Sequence, residues 1–182
     1  MLTDEQLMLD FQRGSKEAFT ELFARYREPI YGFFRRRLAD AERAEELAQE
    51  TFLAVLRAVT RYEPRALFRT YLYGIALLQL VAERRRNAHR VAILDLTTAD
   101  PPAPGDTEAT VEIRQALEKI GPDEREVLML REYEQLSYAE IASLQRVPIN
   151  TVRSRLFRAR LALKELLLGP RGAKRGLRGP VL

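Results

Sequence analysis

Apolar residues return every three or four positions along most of this chain, the spacing that gathers them on one face of an α-helix. Phe19, Leu22, Phe23, Tyr26, Ile30, Phe33 and Phe34 form the strongest of these stripes, with Pro29 a candidate kink. Leu47, Phe52, Val55, Leu56 and Val59 form a second behind Asp40 as cap, and Phe68 through about Arg86 reads as a third helix. Thr3 and Gln6 have the spacing of a capping box for an earlier helix, which ends near Gly14-Ser15. No stretch alternates apolar and polar residues convincingly in the manner of a strand. The pattern predicts an all-α protein.

The periodicity breaks once. From Thr97 to Thr110 the chain holds Pro101, Pro102, Pro104 and Gly105 among acidic and small residues, which is linker chemistry. Helical spacing resumes at Val111 and lasts to about Leu168. We therefore expect two small helical domains, over residues 1–90 and 111–168, joined by a flexible acidic linker over 91–110. A basic tail over 169–182, rich in Gly, Pro and Arg, is expected to be disordered.

Within the second domain, Ser137 and Glu140 repeat the capping-box spacing, and Leu136 with Ile141 adds a hydrophobic staple. After a tight turn, Val152, Leu156, Ala159 and Leu163 recur at helical spacing and would face a core. Thr151, Ser154, Arg155 and Arg158 recur on another side of that helix. A capped helix, a turn and a second helix with an arginine-rich face is the layout of a helix-turn-helix, whose second helix enters the DNA major groove.

Composition sharpens this picture mostly by exclusion. The chain has 182 residues, 30 basic and 26 acidic, for a net charge of +4. The charge is unevenly placed: Val91 to Ile113 carries no Lys or Arg, whereas arginines cluster at Arg35–Arg37, at Arg84–Arg86 and along Arg153 to Arg160. Local basic patches suit a polyanion better than the modest total suggests. There is no cysteine, which removes disulfides, zinc knuckles and thiolate catalysis together. His89 is the only histidine, no glycine-rich phosphate loop is present, and Glu46 with Glu50 reads as a solvated or protein-contact face. We expect no catalytic residue, no metal and no cofactor. Met1-Leu2-Thr3-Asp4-Glu5-Gln6 is not a secretory leader, and the apolar stretch Ile75 to Ala82 falls well short of the roughly 20 residues a membrane span needs. The expected place is the cytoplasm, without membrane insertion.

The first domain adds arginines interleaved with aromatics: Arg61, Tyr62, Arg65, Phe68, Arg69, Tyr71 and Tyr73. Rings offer bases a face to stack on and guanidinium groups follow phosphates, which is how single strands are held; taken alone, Phe68 and Tyr71 read equally well as core residues. A protein with both surfaces can touch DNA where it is closed and where it is open.

The segments Glu46-Leu47-Ala48-Gln49-Glu50-Thr51-Phe52 and Phe68-Arg69-Thr70-Tyr71-Leu72-Tyr73 resemble region 2 of the bacterial extracytoplasmic-function (group 4) sigma factors. Glu124-Arg125-Glu126-Val127-Leu128, Ser137 to Ala142 and Thr151 to Leu156 resemble their region 4. The resemblance spans about residues 3 to 168 and implies a transcription-initiation subunit without catalysis of its own. It implies that Leu47, Gln49, Glu50 and Phe52 lie on or support a helix that binds the clamp of core RNA polymerase. It assigns Arg61, Tyr62, Arg65, Phe68, Arg69 and Tyr71 to the melted −10 strand. It assigns Thr151, Arg153, Ser154, Arg155 and Arg158 to the −35 duplex, with the domain seated on the polymerase flap. An anti-sigma factor is a further candidate partner.

Three positions depart from the family pattern. Tyr71 stands where a tryptophan is usual, Leu78 and Ala82 replace a polar pair, and Arg146 occupies a turn position that is usually glycine. A conventional DNA-binding regulator would also explain the helix-turn-helix, but not the arginine–aromatic loop.

Overall fold

The computed structural model describes residues 2–94 and 108–172, with side chains over 2–89 and 108–169. Among the described residues there are eight α-helices and no strand. The chain divides into two compact units, Met1–Pro101 and Pro102–Leu182. Most of the expected linker, 95–107, and most of the expected tail, 173–182, lie outside the described residues.

The first unit holds α1 (Asp4–Gln12), α2 (Lys16–Arg35), α3 (Ala41–Ala58), a 3-10 turn (Val59–Arg61) and α4 (Phe68–Leu94). Each of the first three helices starts at a local cap. The Thr3 hydroxyl accepts from the Gln6 N–H while the Gln6 side chain accepts from the Thr3 N–H. Ser15 accepts from the Ala18 N–H, and Asp40 from those of Glu42 and Arg43. Such caps satisfy amides that a helix start leaves free, at about 1 kcal/mol each. The helix α2 runs through Pro29 as one element. Leu22, Ile30, Phe33 and Phe34 from α2 meet Leu47 and Val55 from α3 and Phe68, Leu72 and Leu80 from α4, all fully buried. Leu7 and Met8 of α1 close that core.

The second unit holds α5 (Glu108–Glu118), α6 (Pro122–Glu132), α7 (Tyr138–Gln145) and α8 (Ile149–Gly172), with non-helical backbone at Gly169. Gly121 caps α6 and Pro122 takes its first turn, where a missing N–H costs nothing. Both bonds of the Ser137–Glu140 capping box form, at 3.2 and 2.8 Å. Between α7 and α8, Arg146 is left-handed at φ 54° and ψ 44°. Its N–H donates to Ala142 and Ser143, and the Val147 N–H returns to the Ala142 carbonyl, which closes a Schellman-type end. Glycine reaches that backbone freely and arginine does so at a cost. Val152, Leu156 and Ala159 of α8 are buried against α6 and α7, as the periodicity requires.

Candidate nucleic-acid interface

The segment joining the 3-10 turn to α4 carries the arginine–aromatic pattern, and the structure divides its residues sharply. Tyr62 is 5% exposed and Phe68 is 1% exposed. Their rings lie 6.3 Å apart, and Phe68 meets Tyr26 edge-on at 5.6 Å. The protein itself covers the rings of Tyr62 and Phe68, both expected beside the melted strand. Tyr73 is likewise buried, beside Phe33. Tyr71 is the ring left half open, leaning on Tyr62 at 5.3 Å and on Phe68 at 6.2 Å. Arg61 and Arg65 are exposed, Arg65 paired with Glu63 at 2.6 Å, and Arg69 is half-buried. The surface offered is therefore Arg61, Arg65, Leu67 and one side of Tyr71, on a base of buried rings.

Burial pushes the Tyr62 phenol up to about 12 and raises Tyr71 as well. Both rings thus stay neutral near pH 7, and neither adds a negative charge beside the arginines. The Tyr62 hydroxyl is buried with no hydrogen-bond partner among the described residues. Such an orphan costs about 1–3 kcal/mol.

The face shared by α2 and α3 presents a second surface. Leu47 is wholly buried and Phe52 nearly so, placing them as supports beneath the surface. Gln49 and Glu50 are exposed above them. A groove of about 370 Å³ runs between the helices, with Phe23, Arg27, Tyr31, Gln49 and Phe52 in its walls. Phe23 meets Phe52 at 4.9 Å yet remains 38% exposed, and Leu53 is 45% exposed. The apolar stripe of α2 placed Phe23 in the core; adjacency to Leu22, which takes the inward position, turns it out to the rim. Toward α4, Arg43 binds Glu46, Glu50 and the buried Glu83, at 2.7, 3.2 and 2.8 Å. The paired Arg43 guanidinium holds the Glu83 carboxyl below its usual range.

On α8 the outward face is turned from the expected one. Arg155 binds Asp123 of α6, and also Gln145 at 3.2 Å. Arg158 binds Glu124 at 2.9 Å and holds that carboxyl below its usual range. Thr151 is half-buried. These residues lie toward α6, on the shoulder of the helix. Asn150, Arg153, Ser154 and Phe157 point outward, with Phe157 69% exposed. The offset from the expected face is roughly a quarter-turn at 100° per residue. Arg153 meets Asn150 at 3.3 Å, and Ser154 donates to the Asn150 carbonyl at 2.7 Å. Phe157 lies outside the expected set, although its place one residue off the buried stripe was a usable signal. Basic Arg160 and Lys164 continue this surface along the helix, with Arg160 paired to Glu132 at 2.7 Å.

Among the described residues no cluster of histidine and carboxylate groups could hold a metal ion, and no helix is long and apolar enough to cross a membrane.

Comparison with known proteins accounts for both units. The family model for Sigma-70 region 2 matches residues 22–90, and that for Sigma-70, region 4, matches residues 110–163. The RNA polymerase sigma-H factor of Pseudomonas aeruginosa is 36% identical, over 90% of this chain and 93% of its own length. CarQ, an RNA polymerase sigma factor of Myxococcus xanthus, is 34% identical over 86% of this chain and 93% of its own. The ECF RNA polymerase sigma-E factor of Escherichia coli is 32% identical over 89% and 93%. In fold, the chain is similar to the sigma factor RpoE of Bartonella quintana, solved with the anti-sigma factor NepR. The TM-score there is 0.72 at 23% identity, covering 84% of this chain and 98% of that one. CnrH, solved with the cytosolic domain of CnrY, gives 0.72 at 24% identity over 92% and 98%. With region 2 in its first unit, region 4 in its second and relatives aligned along nearly their whole length, the chain belongs to the extracytoplasmic-function sigma factors of RNA polymerase.

Proposed function

We propose that this sigma factor acts in the cytoplasm, binds core RNA polymerase and directs it to a specific set of promoters without catalysing a step itself. The outward face of α8 reads the −35 duplex, with Arg153, Ser154 and Phe157 toward base edges. Arginine pairs bidentately with guanine in the major groove, and an apolar ring suits a thymine methyl. Arg155 and Arg158 fix the angle of α8 on α6 through Asp123 and Glu124. In the first unit, Arg61, Arg65 and Arg69 follow the −10 strand and the open side of Tyr71 accepts an unpaired base. Tyr62 and Phe68 serve as the base of that surface. The α2–α3 groove, with Gln49 and Glu50 above Leu47 and Phe52, docks on the polymerase clamp, and the second unit on its flap. An anti-sigma protein would compete for these surfaces, a reading supported by the similar RpoE solved with the anti-sigma factor NepR.

The observation that carries this reading is the division of labour in the two units. One exposes a helix face fit for duplex DNA, and the other a half-open ring among arginines fit for unpaired DNA. Binding of labelled promoter DNA, with and without core polymerase, tests it. Tight, sequence-selective binding is expected only when core enzyme is present. Equal affinity without core enzyme would favour a conventional regulator.

A further inference from the structure

The helix α4 begins without a cap of its own. Leu67 fills the cap position, since its carbonyl accepts the first helical bond, from the Tyr71 N–H at 3.1 Å. Leucine has no side-chain acceptor for the free amides of the first turn. The missing acceptor comes from 63 residues away: the Glu5 Oε1 accepts from the Phe68 N–H at 2.7 Å. At the other end of the same segment, the Gln12 side-chain amide donates to the carbonyls of Val59 and Tyr62, at 2.8 and 3.1 Å. Glu5 and Gln12 stand at opposite ends of α1, which is itself fixed by the Thr3–Gln6 box and by buried Leu7 and Met8. One rigid helix therefore grips both ends of residues 59–68. Between the two grips, Glu63 to Leu67 are exposed.

We propose that α1 is the holder of the strand-capture loop, with Glu5 and Gln12 as positioning residues for promoter melting. Neither side chain needs to touch DNA. The inference rests on the function proposed above and adds to it the parts that set the geometry of Arg61, Arg65 and Tyr71. Packing buries Tyr62 and Phe68, and the Glu5 and Gln12 bonds fix the backbone on either side of the exposed stretch. Its placement is over-determined from outside, which is what a preorganised site for unpaired bases requires.

The test uses full-length chain assembled with core polymerase on a linear promoter duplex, read by permanganate reactivity of −10 thymines. Glu5→Ala and Gln12→Ala should each lower reactivity about tenfold, the scale of a lost helix cap. Core binding and initiation from a pre-melted template should stay near wild type. Glu5→Gln keeps a side-chain acceptor and should retain most of the melting. The inference is overturned if the alanine variants melt the promoter like wild type. It is also overturned if Glu5→Gln melts no better than Glu5→Ala, or if loss of core binding accompanies the defect. If wild-type holoenzyme opens no promoter at all, the functional reading falls and takes the inference with it; wild-type melting with indifferent variants sinks the inference alone.

Discussion

The Arg158 guanidinium closes on the Glu124 carboxylate at 2.9 Å and ties α8 to the first turn of α6. Arg155 makes the parallel contact with Asp123. Two arginines that a helical wheel offers to DNA thus also pair with the domain's own acids. The acids also suit their place, since negative charge at a helix start complements the macrodipole.

Arg158→Ala should weaken the second unit by under about 1 kcal/mol at neutral pH, because the pair is partly exposed and screened. Arg158 holds the Glu124 carboxyl below the usual carboxylate range, so the contribution is full above that range. It is lost as pH falls through the lower, folded-state value. Calorimetry of wild type and variant at pH 7 and at strongly acid pH should show a gap that closes on acidification. A gap that persists would assign the effect to packing of the arginine stem.

Arg146→Gly should stabilise the chain by about 1 kcal/mol, because the left-handed backbone at φ 54° ceases to oppose a side chain. Promoter choice should be unchanged. Thermal unfolding checks the first expectation, and a lower melting temperature would mean that the arginine side chain repays its strain through contacts of its own.

Arg153→Ala and Phe157→Ala should flatten the ranking of −35 variants by about 1–3 kcal/mol of lost discrimination. Arg155→Ala should instead lower the stability of the unit and weaken all −35 sequences together. Competition binding of holoenzyme to a panel of −35 duplexes separates the cases. A changed ranking in Arg155→Ala alone would return the reading face to the shoulder beside α6.

Tyr71→Ala should cost roughly 1–3 kcal/mol in open-complex stability, the value of one stacked base. Closed-complex binding should change little, because a duplex exposes no base face to the ring. Permanganate footprinting on duplex and on a pre-melted bubble distinguishes these steps, and a defect that the bubble does not relieve would make Tyr71 a core residue.

Local chemistry made much of this architecture readable in advance. The Thr3–Gln6 and Ser137–Glu140 boxes, the Asp40 cap and the buried Val152–Leu156–Ala159 stripe all depend on residues within a few positions of one another. What the pattern misplaced depends on distant partners. Arg155 finds Asp123 across 32 positions, Arg158 finds Glu124 across 34 and Glu5 finds Phe68 across 63. Sequence alone leaves the place of Tyr62 and Phe68 open, because an aromatic residue serves equally well beneath a nucleic-acid surface and on it. Only the packing of Tyr26, Tyr62, Phe68 and Tyr71 against one another decides which ring remains open.

The most direct measurement is transcription from linear genomic DNA with purified core polymerase, in the presence and absence of this chain, with transcript starts mapped. The account predicts discrete new starts, each downstream of a shared pair of −35 and −10 sequences, only when both proteins are present. Tight, sequence-specific duplex binding by the chain alone, unaltered by core polymerase and accompanied by no new start, would contradict it.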